Sequence, residues 1–371
     1  LYDYQEAAKA ALAESGRGIL QSPAGSGKTQ IGIALACEIG QKTLWLTHTR
    51  DLLLQSKNRA EQYMSPALTG TITEGKVQIG KAITFATVQT MCNIDLDRYR
   101  DTWGCIIVDE CHRVAGTPTA VTQFSKVLSS LAAKHKYGLS ATVHRADGMI
   151  AATYALLGKI AYQVPEEAVA DKIMTVSVLP RPTRVGLSKD FLDTDGTIIY
   201  AKLVNYLAED FCRNGQIVGD LMLNSGHYNL ILSDRLAHLE YLMAHLPKHL
   251  RDQAVMVDGK MTSKKGKAKR EQAIEDMRAG KKHYLFATYA LAKEGLDIPR
   301  LDRLYLTTPQ KDYAIVTQSV GRIARTFEGK GEPIVYDYVD DGIQYLVRSY
   351  KKRCTSYRKC GCKILERRGG K

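Results

Sequence analysis

Short, wholly apolar runs recur along the first half of the chain, and each ends in a small polar cluster. Gly18-Ile19-Leu20 precedes a Gly/Ser-rich stretch starting at Ser22. Thr43-Leu44-Trp45-Leu46 leads into Thr47-His48-Thr49-Arg50, and Ile83-Thr84-Phe85-Ala86 ends at Thr87-Val88-Gln89-Thr90. Cys105-Ile106-Ile107-Val108 ends in Asp109-Glu110-Cys111-His112, and Tyr137-Gly138-Leu139 in Ser140-Ala141-Thr142. Helical patterns such as residues 51–63 lie between them. Apolar runs of this kind predict α/β architecture with a mostly parallel sheet covered on both faces. Ligands bind such sheets beyond the carboxyl ends of the strands, where all the polar clusters fall.

Residues 164–190, with Pro165, Pro180 and Pro182, read as an interdomain passage. The alternation then restarts, with strands expected at 228–233, 254–257, 284–288, 303–306 and 334–336, and a helix over 198–213. The pattern predicts one domain over 1–166 and a second over 167–347, with a helical insertion near 186–215. Residues 348–371 are rich in Lys and Arg, with Glu366 alone opposing, and read as an exposed basic extension.

The stretch 22–29, Ser-Pro-Ala-Gly-Ser-Gly-Lys-Thr, is followed by a helical pattern. Strand, glycine-rich loop and helix in that order make a phosphate cradle. Gly25 and Gly27 let backbone N–H groups turn inward. The new helix points its positive end at the same anion. Pro23, Ala24, Gly25, Ser26 and Gly27 supply the cradle, Lys28 reaches the β- and γ-phosphates, and the Thr29 hydroxyl suits Mg²⁺. Ser22 stands where the strict pattern has its first glycine.

Two further groups answer this loop. Asp109, at a strand tip, suits Mg²⁺ held through water, and Glu110 can orient and deprotonate an attacking water. If residues 315–325 are helical, Gln318, Arg322 and Arg325 share one face at i, i+4 and i+7. Two guanidinium groups there can meet a γ-phosphate from outside its own domain. Tyr4-Gln5 can lie beside an adenine, whose donor–acceptor edge matches a Gln amide; a helix-surface Gln is the simpler reading.

Composition narrows the class. The 371 residues suit two domains. No apolar run approaches the roughly 20 residues that span a bilayer. The opening residues are polar and amphipathic, unlike a signal peptide. A start on Leu rather than Met points to a longer natural N-terminus. The net charge of +13 and pI near 9.2 point to a polyanion partner. Eight scattered cysteines without a CxxC pair indicate a reducing, cytoplasmic setting. Cys354, Cys360 and Cys362 lack a convincing fourth zinc ligand.

With these motifs in this order, the chain resembles the superfamily two helicases and translocases of the DExH type, along nearly its whole length. Tyr4-Gln5 looks like the adenine-contacting Q motif and residues 22–29 like motif I. Residues 47–50 and 87–90 correspond to motifs Ia and Ib, 109–112 to motif II and 140–142 to motif III. Residues 230–242 look like motif IV, 288–299 like motif V and 318–325 like motif VI. Arg145-Ala146-Asp147-Gly148 places the resemblance in the XPB-like branch, close to bacterial and phage helicases. Ala146 replaces that branch's Glu, which puts any duplex-opening role of the element in doubt.

The resemblance implies two tandem RecA-like domains that close on ATP and Mg²⁺. Thr29 and Asp109 would hold the metal, and Gly295 and Asp297 would join the nucleotide set. Lys28, Glu110, Gln318, Arg322 and Arg325 would act in catalysis. Thr49, Arg50, Thr87, Gln89, Arg145, Ser233, Arg235 and Thr288 would meet the nucleic-acid backbone, positioning without reading sequence. The expected partner is single-stranded or forked DNA, met by a monomeric motor, with a further protein partner or an N-terminal domain beyond these residues. An RNA helicase, a nucleic-acid clamp that does not travel, and a restriction-enzyme motor subunit are the alternatives.

Overall fold

The computed structural model describes residues 1–23, 25–114, 123–141, 150–165, 167–169, 173–259, 261, 263–293 and 296–366. The chain divides into two compact units, Leu1–Val169 and Ala170–Lys371.

In the first unit, α1 (Asp3–Ser15) leads into β1 (Arg17–Gln21), α2 (Lys28–Ile39), β2 (Thr43–Thr47) and α3 (Arg50–Ala60). There follow β3 (Thr69–Thr73), β4 (Lys76–Gln78), β5 (Ile83–Thr87), α4 (Val88–Asn93) and β6 (Cys105–Asp109). The unit closes with α5 (Gln123–Ser130), β7 (His135–Ser140), α6 (Ile150–Leu157) and β8 (Ile160–Gln163). The sheet order is β4-β3-β5-β2-β6-β7-β1-β8, parallel except for the β3–β4 hairpin. β2, β5 and β6 are buried at every position, as strands covered on both faces must be. α2 lies close on the sheet at Gly32, where a Cβ would come 2.7 Å from the Trp45 ring.

The second unit runs β9 (Ser177–Thr183), α7 (Tyr200–Glu209), α8 (Phe211–Leu223), β10 (Asn229–Ser233), α9 (Leu236–Ala244), α10 (Lys248–Arg251) and β11 (Ala254–Val257). It continues with α11 (Lys264–Arg278), β12 (Tyr284–Thr288), α12 (Tyr289–Lys293), β13 (Arg303–Leu306) and α13 (Tyr313–Ile323). It ends with β14 (Ile334–Asp340), α14 (Gln344–Lys359) and β15 (Lys363–Ile364). All pairings are parallel, in the order β11-β12-β10-β13-β14-β9-β15.

Without the edge strands β4, β8 and β15, the two sheets have the same topology. Numbered by appearance within its own unit, each core reads 3-4-2-5-6-1 across the sheet. Equivalent strand tips can therefore be compared one to one. The tandem RecA-like reading of the sequence is this pair of sheets.

Three local expectations change. The proline-bearing passage contains β9, which is the first strand of the second unit. The Ser177 N–H bonds to Pro333 O on the β14 side, so even-numbered residues turn theirs the other way. On that side β15 covers only Ser177 and Val178, so Pro180 and Pro182 lack a donor only where the strand is an open edge. The helix expected over 198–213 is two helices, because Asp210 caps α8 by accepting from the Arg213 N–H at 2.7 Å. The basic extension is not a free tail. α14 buries Leu346, Arg353, Cys354 and Tyr357, and β15 then pairs with β9. The polar exposed positions of α14 hid a buried face in which Leu346, Cys354 and Tyr357 alternate with Ser349, Arg353 and Ser356.

Candidate functional site

In the first unit, the tips of β1, β7 and β6 lie side by side, with Gln21 opposite Ser140 and Asp109 opposite Leu139. The Ser22 N–H, just past β1, donates to Ser140 O at 3.0 Å. Ser140 Oγ lies 3.1 Å from His112 Nδ1, which is 3.2 Å from Glu110 Oε2. The Glu110 N–H donates to Asp109 Oδ1 at 3.0 Å. One chain of polar contacts thus joins the loop, the Asp-Glu pair and the Ser-Ala segment. Thr142 lies outside the described residues.

The loop has the backbone its glycines imply, with φ of 88° at Gly25 and 80° at Gly27. Gly27 is also needed for space, because a Cβ there would come 2.5 Å from Gln5 Nε2. Gln5 is only 1% exposed and donates to Ser26 O at 3.0 Å, as Tyr4 Oη does at 2.9 Å. The surface-Gln reading therefore gives way: Tyr4 and Gln5 brace the loop from α1. Ser26 Oγ donates to Pro23 O at 2.7 Å, and Lys28 Nζ to the carbonyls of Ser22 and Pro23 at 3.2 Å each. Thr29 occupies the first turn of α2, half-buried. Ala24 lies outside the described residues.

Asp109 is buried at the tip of β6. Burial, reinforced by the Glu110 carboxylate and opposed by Lys28, pushes it up to about 7. A carboxyl held this far from its ordinary value fits a site that a divalent cation would complete. Thr29 and Asp109 offer the hard oxygen ligands that Mg²⁺ takes. Among the described residues no cluster of three or more His, Cys, Asp or Glu could form an all-protein cage; Mg²⁺ usually keeps waters and substrate oxygens instead. Glu110 itself holds a left-handed backbone, φ 50° and ψ 50°, uncommon for a non-glycine residue and seen at functional positions. Cys111 packs over the sheet at Gly138, where a Cβ would lie 2.7 Å from its Sγ; burial raises its thiol well above the ordinary value.

The remaining tips of this unit carry hydroxyls in register, Thr47 opposite Thr87. Thr49 caps α3 through the Leu52 N–H, and Arg50 Nε lies 3.5 Å from Glu74. Gln89 Nε2 donates to His48 O at 2.7 Å. Thr87 is mostly buried, with its hydroxyl on Thr90 at 3.0 Å. Arg145 lies outside the described residues.

In the second unit, Ser233 and Thr288 are the equivalent pair, opposite one another at the tips of β10 and β12. Ser233 is fully buried, and its hydroxyl meets His238 Nδ1 at 3.1 Å and accepts the Arg235 N–H. It therefore positions the turn, and its side chain does not form surface. Arg235 Nε donates to Asn205 Oδ1 at 2.6 Å, tying the turn to α7.

The single stripe expected for Gln318, Arg322 and Arg325 is not kept. α13 ends at Ile323, and Arg325 lies beyond it in a bridge with Ile173. The Met174 N–H donates to Ala324 O, which draws the chain into an extended path. Arg322 Nε donates to Ala292 O at 3.2 Å. Arg325 is ion-paired with Asp297, so motifs V and VI meet within this unit. Gly295 lies outside the described residues. Gln318 Oε1 is enclosed with no hydrogen-bond partner among the described residues.

Two residues here escaped sequence reasoning. His112 joins the acid pair to Ser140, a link signalled by the adjacency of two strand tips. Lys330 Nζ donates to Ile323 O and Arg325 O at 2.7 Å and to Pro299 O at 3.0 Å. It staples the end of motif VI to motif V, and burial pulls its ammonium down to about 8. Nothing local in Gly-Lys-Gly signals that role.

Residues 1–145 match the family described as "Type III restriction enzyme, res subunit", and 214–327 match "Helicase conserved C-terminal domain". A protein of Escherichia phage T5 named as a probable helicase is 26% identical over 351 residues, covering 94% of this chain and 73% of the relative. The DNA 3'-5' translocase XPB2 of Sulfurisphaera tokodaii is 31% identical over 175 residues, 46% of this chain and 37% of that one. Across three viral relatives the chain spans 65%, 73% and 63% of the relative's own length, about two thirds. Among solved structures, S. cerevisiae Dbp5 bound to RNA and ADP BeF3 shares the fold. It has a TM-score of 0.65 at 16% identity, over 98% of this chain and 89% of that one.

Proposed function

Because the chain belongs to the superfamily two helicases and translocases, in the XPB-like branch, we propose that it is an ATP-dependent motor. In this reading hydrolysis of ATP held by the first unit drives movement along DNA, or its unwinding. One observation supports it above the others. The phosphate loop, the Asp109-Glu110 pair and Ser140 form one polar chain at adjacent strand tips.

The cradle N–H groups and Lys28 bind the phosphates, which positions the γ-phosphorus. Thr29 and Asp109 would hold Mg²⁺, which would supply neutralisation of the charge on the phosphates. Glu110 orients the attacking water and accepts its proton, held in place by its fixed backbone and by His112. Arg325 and Arg322 serve the γ-phosphate when the units close, and Arg325 must exchange Asp297 for phosphate to do so. Loss of the γ-phosphate removes the ligand that favours closure, and only such differential affinity can drive a motor. Nucleic-acid grip falls to the tips bearing Thr49, Arg50, Thr87 and Gln89, and to Arg235 and Thr288 with the turn that Ser233 fixes.

DNA is preferred to RNA on the XPB-like resemblance. ATPase rates with single-stranded, duplex and forked DNA, and with RNA, test that choice. Glu110→Gln is expected to bind ATP as the parent does while its stimulated turnover is abolished. Turnover at the parent rate would remove Glu110 from its role.

A further inference from the structure

We propose that the outer face of α14 is a second nucleic-acid contact, a row of cations that holds the phosphate backbone of duplex DNA. The inference rests on the motor reading above. Ten of the 52 Lys and Arg, but one of the 39 Asp and Glu, lie in residues 344–371, so these residues hold nine of the thirteen net positive charges. The helix organises that excess. Arg348, Lys351, Lys352, Arg358 and Lys359 are all exposed, and Leu346, Ser349, Arg353, Cys354 and Tyr357 fill the opposite face. Between positions 348 and 359 the row runs about 16 Å, with cations or Thr355 at each turn.

The row has no internal counter-charge. Among the described residues none of the five makes an ion pair, and no Asp or Glu occurs from Gln344 to Leu365. Arg353, the one basic residue facing inward, is neutralised by Asp337 at 2.8 Å. Like charges three and four residues apart repel along a helix. A polyanion laid on the face relieves that repulsion and releases its own counterions.

Duplex rather than single-stranded DNA fits because, among the described residues, no exposed aromatic ring stands in or beside the row; the Tyr313 ring under Lys359, at 5.3 Å, is half-buried. Proteins that grip single strands add stacking platforms to their charge, whereas a duplex presents a charged backbone alone. The face lies on the helix that follows β14, outside the turns that carry the motif residues.

The test uses the full chain with Arg348→Gln, Lys351→Gln, Lys352→Gln and Arg358→Gln combined. Fluorescence anisotropy gives the affinity for duplex and single-stranded DNA across a series of KCl concentrations. The slope of log affinity against log salt for duplex is expected to become shallower by about 2–4, at about 0.9 for each phosphate no longer neutralised. Duplex affinity near 0.1 M salt should fall at least about tenfold, with single-strand affinity and DNA-free ATPase unchanged. A second variant, Arg348→Lys with Arg358→Lys, should keep the parental slope. A duplex slope and affinity equal to the parent's, or an equal loss on single strands, would overturn the proposal. Failure of the motor reading is read separately, as a parent chain whose ATPase no nucleic acid stimulates.

Discussion

The two units share one strand order and treat charge at equivalent tips in opposite ways. In the first, the tips of strands one, five and six meet the phosphate loop, Asp109 and Ser140, and Asp109 is held up near 7 by burial. In the second, the same three tips are closed by the protein's own ions. Arg213, fully buried, donates to Asp340 at 2.8 Å at the end of β14 and to Thr307 O at 2.6 Å just beyond β13. Asp340 also accepts from Thr183 Oγ1, at the end of β9, at 2.7 Å. A guanidinium thus sits at the tips where the first unit has its glycine-rich loop. The fold supplies the crevice twice, and in the second unit Arg213 of α8 and Asp340 at the end of β14 seal it.

That difference can be broken from either side. Asp340→Ala leaves Arg213 buried without its partner. Such a loss is expected to cost about 3–5 kcal/mol in the second unit, read by urea unfolding. Asp109→Asn, a change to the buried acid at the tips of the first unit, removes a carboxylate that burial disfavours. It should leave stability unchanged or raise it, while abolishing hydrolysis. Equal destabilisation by the two changes would erase the distinction.

A smaller effect sharpens it by pH. His238 lies between Ser233 and Asn214, at 3.1 and 2.9 Å, and burial, with help from Arg213, lowers its pKa to about 3. The unfolded chain therefore binds a proton there that the folded chain refuses. Stability should fall with pH by about 1.4 kcal/mol per unit from 6.5 toward 3. His238→Gln should flatten that part of the profile in unfolding measured from pH 7 to 5. A profile unchanged by the substitution would place the acid sensitivity elsewhere.

Much of this was legible in the sequence, where geometry is local. The apolar runs marked ten strands of the two sheet cores, and Ser22–Thr29 and Asp109-Glu110 fall at the tips their patterns implied. What escaped depends on pairing between distant segments. β9 tolerates Pro180 and Pro182 because β15 is short. Arg325 leaves the stripe because residues 173–174 capture the chain after α13. Gln5 is buried because the loop comes to it. Ser233 lost its surface role to His238, which Asn214 of α8 holds from its other side. Asp337 and Asp340 of β14 show the same limit: each neutralises an arginine carried by a helix, Arg353 of α14 and Arg213 of α8.

In the motor proposed above, ATP bound by the first unit is hydrolysed with a guanidinium from the second. Arg325→Ala tests it most directly, with ATP affinity and single-turnover hydrolysis measured on the same preparation. The prediction is ATP binding within a few-fold of the parent and hydrolysis lower by roughly 10³–10⁵. Hydrolysis at the parental rate, or a loss of ATP binding as large as the loss of rate, would contradict it.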